Sequence, residues 1–230
     1  MPPRTDIPAE TTSGLRERKR ERTRRTIGDA AFRLFAAHGF EEVRLTDIAA
    51  AAEVAPATVF THFRTKEEIF FSRRADFNQG LAAAVAGAGT TLGLIAALEA
   101  CFRAATRIGL DEDGLPRSRT FAGVLLASPA LRDAYLVLER ERRELLLAAL
   151  TERAAGRTAV ADQELFAGLV GAVASAAFGA RHRLLAQGAP IGDVEAGVDE
   201  VLRRGFGRIA TAYAGDAALD AAHAAHAAGG

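Results

Sequence analysis

Cysteine is almost missing from this chain of 230 residues: Cys101 is the sole example, so no disulfide can form within the chain. The sequence also has no cysteine and histidine cluster at metal-ligand spacing, no Gly-x-Ser-x-Gly elbow and no glycine-rich phosphate-binding loop. These absences argue against metal sites, esterases and nucleotide-dependent enzymes. We therefore expect a protein that is not an enzyme and that uses no catalytic residues, metal or cofactor.

The chain also has no net charge, because 29 lysine and arginine residues balance 29 aspartate and glutamate residues. Any binding to nucleic acid must then come from a local basic patch. No apolar run reaches the length of a membrane-spanning helix, and the N-terminal residues are polar and charged. The simplest expectation is a cytoplasmic protein.

Alanine is abundant, and 49% of all residues are apolar. The alanine content favours an all-α fold, and the apolar share is enough for a sizeable core. Glycine and proline breaks divide the sequence into segments. We expect a disordered basic arm over residues 1–19, a three-helix domain over 20–64, a larger helical domain over 65–214 and a disordered tail over 215–230. Helices in the larger domain are expected at about 92–109, 118–127, 129–154, 161–187 and 193–213.

The most informative stretch of the sequence runs from Leu45 to Phe63. It predicts two short helices joined by a tight turn, and the second helix has small, polar and aromatic residues on the side that packing leaves free. This pattern is typical of a helix-turn-helix that enters the DNA major groove. The segment from Arg16 to Arg25 has seven cations against two glutamates. Such a run is often only a solvated helix start, but beside a DNA-binding motif it favours phosphate contact.

The last two predicted helices, over 161–187 and 193–213, are apolar on more than one side. Such helices are buried on more than one side, so they can pack in their own domain and also against a second copy. A homodimer would supply two recognition helices for two half-sites. The alternative is a monomer that keeps both helices in its core.

A longer pattern connects these features to a known family. Its elements are Phe35-Ala36-Ala37-His38-Gly39-Phe40, Leu45-Thr46-Asp47-Ile48-Ala49, Val54, and the run from Thr58 to Glu67. Over residues 20–70 the chain resembles the N-terminal DNA-binding domain of TetR-family transcriptional regulators. The resemblance implies an N-terminal helix-turn-helix domain followed by a larger helical domain for ligand binding and dimerisation.

The resemblance also implies roles for single residues at the DNA. Thr46 would cap the second helix and touch phosphate, Arg44 would lie near the backbone or minor groove, and Ala57, Thr58 and Thr61 would face bases. Phe60 stands where the family often has tyrosine, His62 would point toward phosphate, and Lys66 would meet the backbone. Two departures concern the turn: Glu53 occupies a position that the family prefers as glycine, and Ala55 replaces the usual hydroxyl cap.

The expected function is a homodimeric repressor that leaves a palindromic double-stranded operator when a small molecule binds. Alternatives are an activator of the same fold and a helical adaptor with weakened DNA binding. Aromatic and polar residues combine in effector pockets. The candidates that we expect to line one are Cys101, Phe102, Phe121, Leu125, Tyr135, Phe178 and His182. A lipophilic ligand with a polar or anionic group could be anchored by Arg103, Arg181 or His182.

Overall fold

The computed structural model describes residues 9–72, 75–156, 158–216 and 219–220, and within them it contains ten α-helices and no strand. The all-α prediction is therefore confirmed. The helices are α1 (Ala9–His38), α2 (Leu45–Ala51), α3 (Pro56–His62), α4 (Lys66–Phe70), α5 (Ala75–Gly87), α6 (Thr91–Arg107), α7 (Leu115–Ala127), α8 (Pro129–Ala154), α9 (Val160–Ala186) and α10 (Ile191–Ala212). The chain divides into two compact units, Met1–Ser72 and Arg73–Gly230.

The first unit is built around the apolar stripe of α1. Ile27, Ala31 and Phe35 are almost fully buried, and they share one helix face because they follow each other at four-residue steps. Ile48 of α2 and Val59 of α3 are also fully buried, and α1 contacts α2 and α4 while α2 contacts α3. Helix α1 ends at His38, and Gly39 follows it at a φ of 82°.

Two boundaries differ from the prediction in this unit. We expected a disordered arm over 1–19, but α1 already includes residues 9–19, and residues 1–8 lie outside those described. We also placed the domain end after residue 64, whereas the unit extends to Ser72. The reason is α4, whose Ile69 and Phe70 are buried at 2% and 8% exposure.

The fourth predicted helix is interrupted. The capping pattern at Thr65 and the apolar residues as far as Leu81 predict one continuous helix, but α4 ends at Phe70 and α5 begins at Ala75. Ile69, Phe70 and Phe71 are all buried. Three consecutive residues cannot point into one core from a continuous helix, because each step turns the side chain by about 100°. The turn at Phe71 lets its ring pack against Phe70 with centroids 5.0 Å apart.

The second unit is a bundle in which the helix bounds from α6 onward agree with the sequence prediction to within a few residues. Its core contains Phe102 of α6, Phe166 and Val170 of α9, and Phe206 of α10. Helices α9 and α10 pack closely because Gly205 has no side chain: a Cβ there would lie 2.5 Å from Val173 Cγ1.

The apolar stripe of α8 differs in its second half. The sequence spacing predicts an apolar stripe that includes Leu145 and Ala149, but Leu146 and Leu150 are the buried residues and Leu145 is 48% exposed. The four-residue spacing of Glu139 and Arg143 predicts an ion pair on the outside of the helix. Glu139 is instead half-buried and accepts a hydrogen bond from Ser175 Oγ of α9 at 3.2 Å.

The C-terminal segment is partly anchored, contrary to the disordered tail predicted over 215–230. Leu219 is 2% exposed, and Asp220 accepts hydrogen bonds from the amide and the hydroxyl of Thr91. Arg153 Nε donates to the Leu219 carbonyl at 2.8 Å. Residues 217, 218 and 221–230 lie outside the described residues.

One helix departs from the expectation about membranes. By length and composition α9 could cross a bilayer, with 39% of its most apolar window buried inside the fold. Its many alanines raise the mean hydropathy without any long run of large apolar residues. In the fold α9 packs against α7, α8 and α10, as a core helix does.

Candidate nucleic-acid interface

The turn between α2 and α3 has the strained residue that the sequence indicated. Glu53 has a φ of 54°, in the left-handed region that side chains with a Cβ rarely adopt. The turn is closed by hydrogen bonds from the Glu53 amide to Ala50 O at 3.1 Å and from the Val54 amide to Ala49 O at 3.0 Å. Because Ile48 and Val59 are fully buried on either side, this turn sets the angle between α2 and α3.

Helix α3 turns one face outward. Ala57 and Thr61 are exposed, Thr58 is half-buried, and Phe60 is 57% exposed, whereas Val59 and Phe63 are buried. The Thr61 hydroxyl donates to Ala57 O at 2.8 Å, which fixes its rotamer and leaves the hydroxyl oxygen as an acceptor at the surface. The outer face therefore offers methyl groups, a hydroxyl oxygen and an aromatic ring, which suit base edges and thymine methyls.

The first turn of α3 lacks a side-chain cap. Its N-cap residue is Ala55, whose side chain accepts no hydrogen bond, and Pro56 follows in the first helical turn. The amides there have no capping oxygen from the protein, and proline removes one amide that would need a partner. The missing hydroxyl is the departure from the family pattern noted above.

The start of α2 is organised differently from the prediction. Arg44 is the N-cap residue, and its amide donates to the Asp47 carboxylate at 2.9 Å, so Thr46 is not the cap. Asp47 lies three residues after Arg44 and reaches back as the acidic residue of a capping box does. Thr46 lies in the first turn with an exposed side chain, and the Arg44 side chain is exposed as well.

His62 closes α3 in a cationic environment. Its carbonyl accepts a hydrogen bond from the Arg24 guanidinium, which also lies over the Phe63 ring at 4.1 Å from the centroid. Burial, followed by the charges of Arg24 and Arg20, lowers the pKa of His62 below 6.5. The imidazole is therefore neutral near pH 7, and its buried Nδ1 makes no hydrogen bond within the described residues.

Lys66 has a role that the sequence did not predict. We expected its ammonium group to meet the DNA backbone, but the group donates to three carbonyls of the segment between α1 and α2: Phe40 at 2.8 Å, Glu41 at 3.3 Å and Val43 at 2.8 Å. It also lies 4.6 Å from the centroid of the Phe40 ring. An ammonium has three donors. Lys66 is thus a clamp within the unit, and its donors are already used.

Arg24 is a second clamp that sequence reasoning passed over within a charge run. Besides its contacts with His62 and Phe63, it lies 3.7 Å from the Glu68 carboxylate. Glu68 in turn accepts from the Arg64 amide at 2.7 Å. The sequence could have predicted this contact, because Arg24 lies one turn before the buried Ile27 on the same side of α1. A cation at the edge of a core face often contacts the neighbouring element.

The effector candidates in the second unit are only partly brought together. Phe121, Tyr135 and Phe178 surround the buried His182, with ring centroids 5.7, 5.7 and 6.4 Å from the imidazole. Leu125 is buried on α7. Cys101 faces α5, where its Sγ lies 3.5 Å from the position of a Cβ on Gly80, and burial raises the pKa of the thiol.

Phe102 lines a small cavity of about 20 Å³ together with Glu139 and Arg142. This volume admits about one water molecule. The sequence missed Glu139 and Arg142, although both continue the spacing of the buried Leu131 and Leu146 on α8. Arg142 is 7% exposed and lies 5.2 Å from the centroid of the Phe178 ring, so the cavity is close to the aromatic cluster.

Two predicted anchors serve the fold instead. Arg103 pairs with Glu99 at 2.5 Å and Asp199 at 3.0 Å. The buried Arg181 donates to the carbonyls of Thr106 and Ile108 at 2.9 and 2.8 Å, and burial lowers its pKa.

Comparisons with known proteins place the first unit in a described family. Residues 27–72 match the family model of bacterial regulatory proteins, tetR family. The chain is 34% identical over 114 residues to the transcriptional regulator TcmR of Streptomyces glaucescens, with 48% of this chain and 50% of TcmR covered. It thus spans about half the length of that relative. It is 33% identical over 144 residues to MftR of Mycobacterium tuberculosis, named as a mycofactocin biosynthesis transcriptional regulator, covering 61% of this chain and 70% of MftR.

Solved structures agree in fold. SmeT in complex with triclosan has a TM-score of 0.56 at 21% identity and covers 88% of this chain and 96% of its own. NalD, the secondary repressor of the MexAB-OprM multidrug efflux pump in Pseudomonas aeruginosa, has a TM-score of 0.52 at 18% identity. The match covers 80% of this chain and 95% of the NalD chain.

Proposed function

We propose, from the premise that the chain belongs to the TetR family of DNA-binding transcriptional regulators, that it is a homodimeric repressor which a small molecule releases from a palindromic operator. The observation that carries the proposal is the outer face of α3, where Ala57, Phe60 and Thr61 are exposed beside the buried Val59. The activator of the same fold remains the second candidate. Such a regulator would act in the cytoplasm, where bacterial DNA is found.

At the operator, α3 would enter the major groove, with Ala57, Thr58 and Thr61 toward the bases and Phe60 and His62 toward the sugar-phosphate backbone. Arg44 and Thr46 would contact phosphate from the start of α2, because both side chains are exposed there. Lys66 would act indirectly by holding the segment before α2. The helices of two protomers would occupy successive major grooves about 34 Å apart.

The dimer would form through α9 and α10. Helix α9 exposes an apolar stripe, Leu165, Leu169, Ala172 and Ala176, on the side opposite its buried residues. Leu165 and Leu169 are 59% and 37% exposed. A stripe of this kind is stabilised when a two-fold copy covers it. Leu169→Glu should make the chain monomeric in analytical ultracentrifugation, whereas Leu136→Glu, on the 61% exposed Leu136 of α8, should leave the dimer intact.

The effector would enter among α7, α8 and α9. The aromatic side chains about His182, with Arg142 and Glu139 at the neighbouring cavity, suit a mostly lipophilic molecule with one polar or anionic group. Because the cavity is small, binding would require these helices to separate. The ligand shifts the equilibrium only if it prefers the arrangement that does not bind DNA.

Selection of bound fragments from the source genome, followed by mobility-shift titration, tests the proposal. We expect enrichment of palindromic fragments, and Thr61→Val should change the preferred sequence while the affinity for unrelated DNA stays the same. Equal binding to all fragments would reject sequence-specific regulation. Genes beside the selected fragment, measured with and without the regulator, separate repression from activation.

A further inference from the structure

The N-terminal half of α1 projects beyond the core of the first unit. The buried stripe of the helix begins at Ile27, whereas α1 begins at Ala9. The described side chains before Ile27 are exposed or half-buried, and six cationic ones are exposed: Arg16, Arg18, Lys19, Arg20, Arg22 and Arg25. At about 1.5 Å per residue, the helix from Arg16 to Ile27 is about 16 Å long. It packs no core of its own, so its sequence is free to serve another surface.

One face of this extension continues the core face. Arg16, Arg20 and Arg24 follow each other at four-residue steps, and Ile27 and Ala31 extend the same line into the core. Arg24 fixes the direction of that face, because its guanidinium binds the carbonyl of His62 at the end of α3. The charge of Arg20 also acts on the His62 imidazole. Arg16 and Arg20 therefore lie on the side of α1 that faces the end of the recognition helix.

We infer that Arg16 and Arg20 form a second phosphate-binding surface, which contacts the duplex backbone outside the base pairs that α3 contacts. The inference rests on the proposed binding of α3 to DNA and adds a contact to it. Arg24 is held inside the unit by His62, Phe63 and Glu68, so it positions the face. Arg16 and Arg20 lie about 12 and 6 Å farther along the helix axis from Arg24.

Charge complementarity favours DNA as the occupant. A duplex has one negative charge per about 1.7 Å of its axis, and each neutralised phosphate releases counterions. The two acidic residues of the segment, Glu17 and Glu21, each lie one position after Arg16 and Arg20, so their side chains are turned by about 100° from those two arginines. The carboxylate of Glu68 lies between this face and the end of α3, where it is 3.7 Å from Arg24.

The chain also provides a matched control. Arg18 and Arg22 have the same charge, spacing and exposure, but they lie roughly on the opposite side of α1. Arg16→Gln with Arg20→Gln and Arg18→Gln with Arg22→Gln therefore remove equal charge from opposite faces. Both pairs lie outside the core, and equal melting temperatures of the two variants will show that the fold is retained.

The experiment uses the full-length chain and a genome-selected duplex, either trimmed to the two half-sites or extended by ten base pairs on each side. Affinity is measured between 50 and 200 mM KCl, with hydroxyl-radical footprints on the long duplex. For the long duplex we expect the Arg16/Arg20 variant to reduce the slope of log K against log[salt] by about 3.6 per dimer, at 0.9 per phosphate. Protection of the flanking backbone should disappear, while the centre stays protected and the control variant behaves as wild type.

Three results would overturn the inference. An unchanged slope and footprint in the Arg16/Arg20 variant would show that the face does not touch DNA, with the proposed function intact. An equal reduction of the salt slope in both double variants would show a general effect of charge that does not depend on one face of α1. Failure of the wild-type chain to bind any selected duplex would overturn the proposed function together with the inference.

Discussion

The ammonium group of Lys66 donates to the carbonyl oxygen of Val43 at 2.8 Å, which joins the start of α4 to the residue before Arg44. Val43 is 3% exposed, so its carbonyl lies at the edge of the core. An acceptor in such a place is costly to leave without a partner. Because Arg44 caps α2, Lys66 holds the end of the helix-turn-helix that would meet the DNA backbone.

Replacement of this lysine separates a structural role from phosphate contact. Lys66→Met removes hydrogen bonds to three carbonyls and should lower the free energy of unfolding of the first unit by about 2 kcal/mol, as for hydrogen bonds to charged groups. DNA affinity should fall, but the slope of log K against log[salt] should stay the same. Urea denaturation and salt titration measure the two effects.

Arg44→Gln is the matched control for that variant. Its side chain is exposed, so stability should remain within about 0.5 kcal/mol, whereas the salt slope should fall by about 0.9 per protomer. If Lys66→Met reduces the salt slope and leaves stability unchanged, Lys66 contacts the DNA backbone directly.

The turn residue Glu53 should be replaceable with a gain in stability. Its φ of 54° is strained for any residue with a Cβ, so Glu53→Gly should stabilise the first unit by about 1 kcal/mol. Glu53→Ala keeps the Cβ and should give little of this gain, which separates backbone strain from loss of the carboxylate. Thermal denaturation of the three chains provides the measurement, and a stabilisation by alanine equal to that by glycine would contradict the backbone explanation.

His62 should make the first unit sensitive to acid. Its pKa in the fold lies below 6.5, so the unfolded chain takes up the proton first as pH falls. The stability of the unit should therefore decrease as pH falls below about 6.5 and level off once the folded state is protonated too. Hydrogen exchange of α3 amides at pH 7.5, 6.5 and 5.5, corrected for intrinsic rates, measures this change.

His62→Gln should remove this dependence of stability on pH, since glutamine does not titrate between pH 7.5 and 5.5. Arg20→Gln should reduce it in part, because the Arg20 charge is one cause of the lowered pKa. An identical pH dependence in wild type and His62→Gln would assign the effect to other groups.

The sequence predicted the elements better than it predicted the functions of charged residues. Helix ends such as Gly39 are local, because a glycine with a φ of 82° stops a helix wherever it stands. The contacts of Lys66 and Arg142 are not local, since their partners lie on other elements. A cation in an apolar stripe has the same pattern whether it binds a ligand, a carbonyl or a ring, so only the fold distinguishes these cases.

The end of the described chain should contribute to the stability of the second unit. Leu219 is 2% exposed among core residues, and Asp220 accepts from both the amide and the hydroxyl of Thr91. Leu219→Ala should lower the free energy of unfolding by about 2 kcal/mol, because it removes a buried side chain and leaves space that the core cannot fill completely. Leu136→Ala, at a residue that is 61% exposed, should change it by less than about 0.5 kcal/mol. Asp220→Asn keeps the size of the side chain but weakens the acceptor for Thr91. Its loss in the free energy of unfolding should therefore lie between those of the other two variants. Chemical denaturation followed by circular dichroism ranks the three variants, and a Leu219→Ala chain as stable as wild type would show that this segment does not hold the bundle.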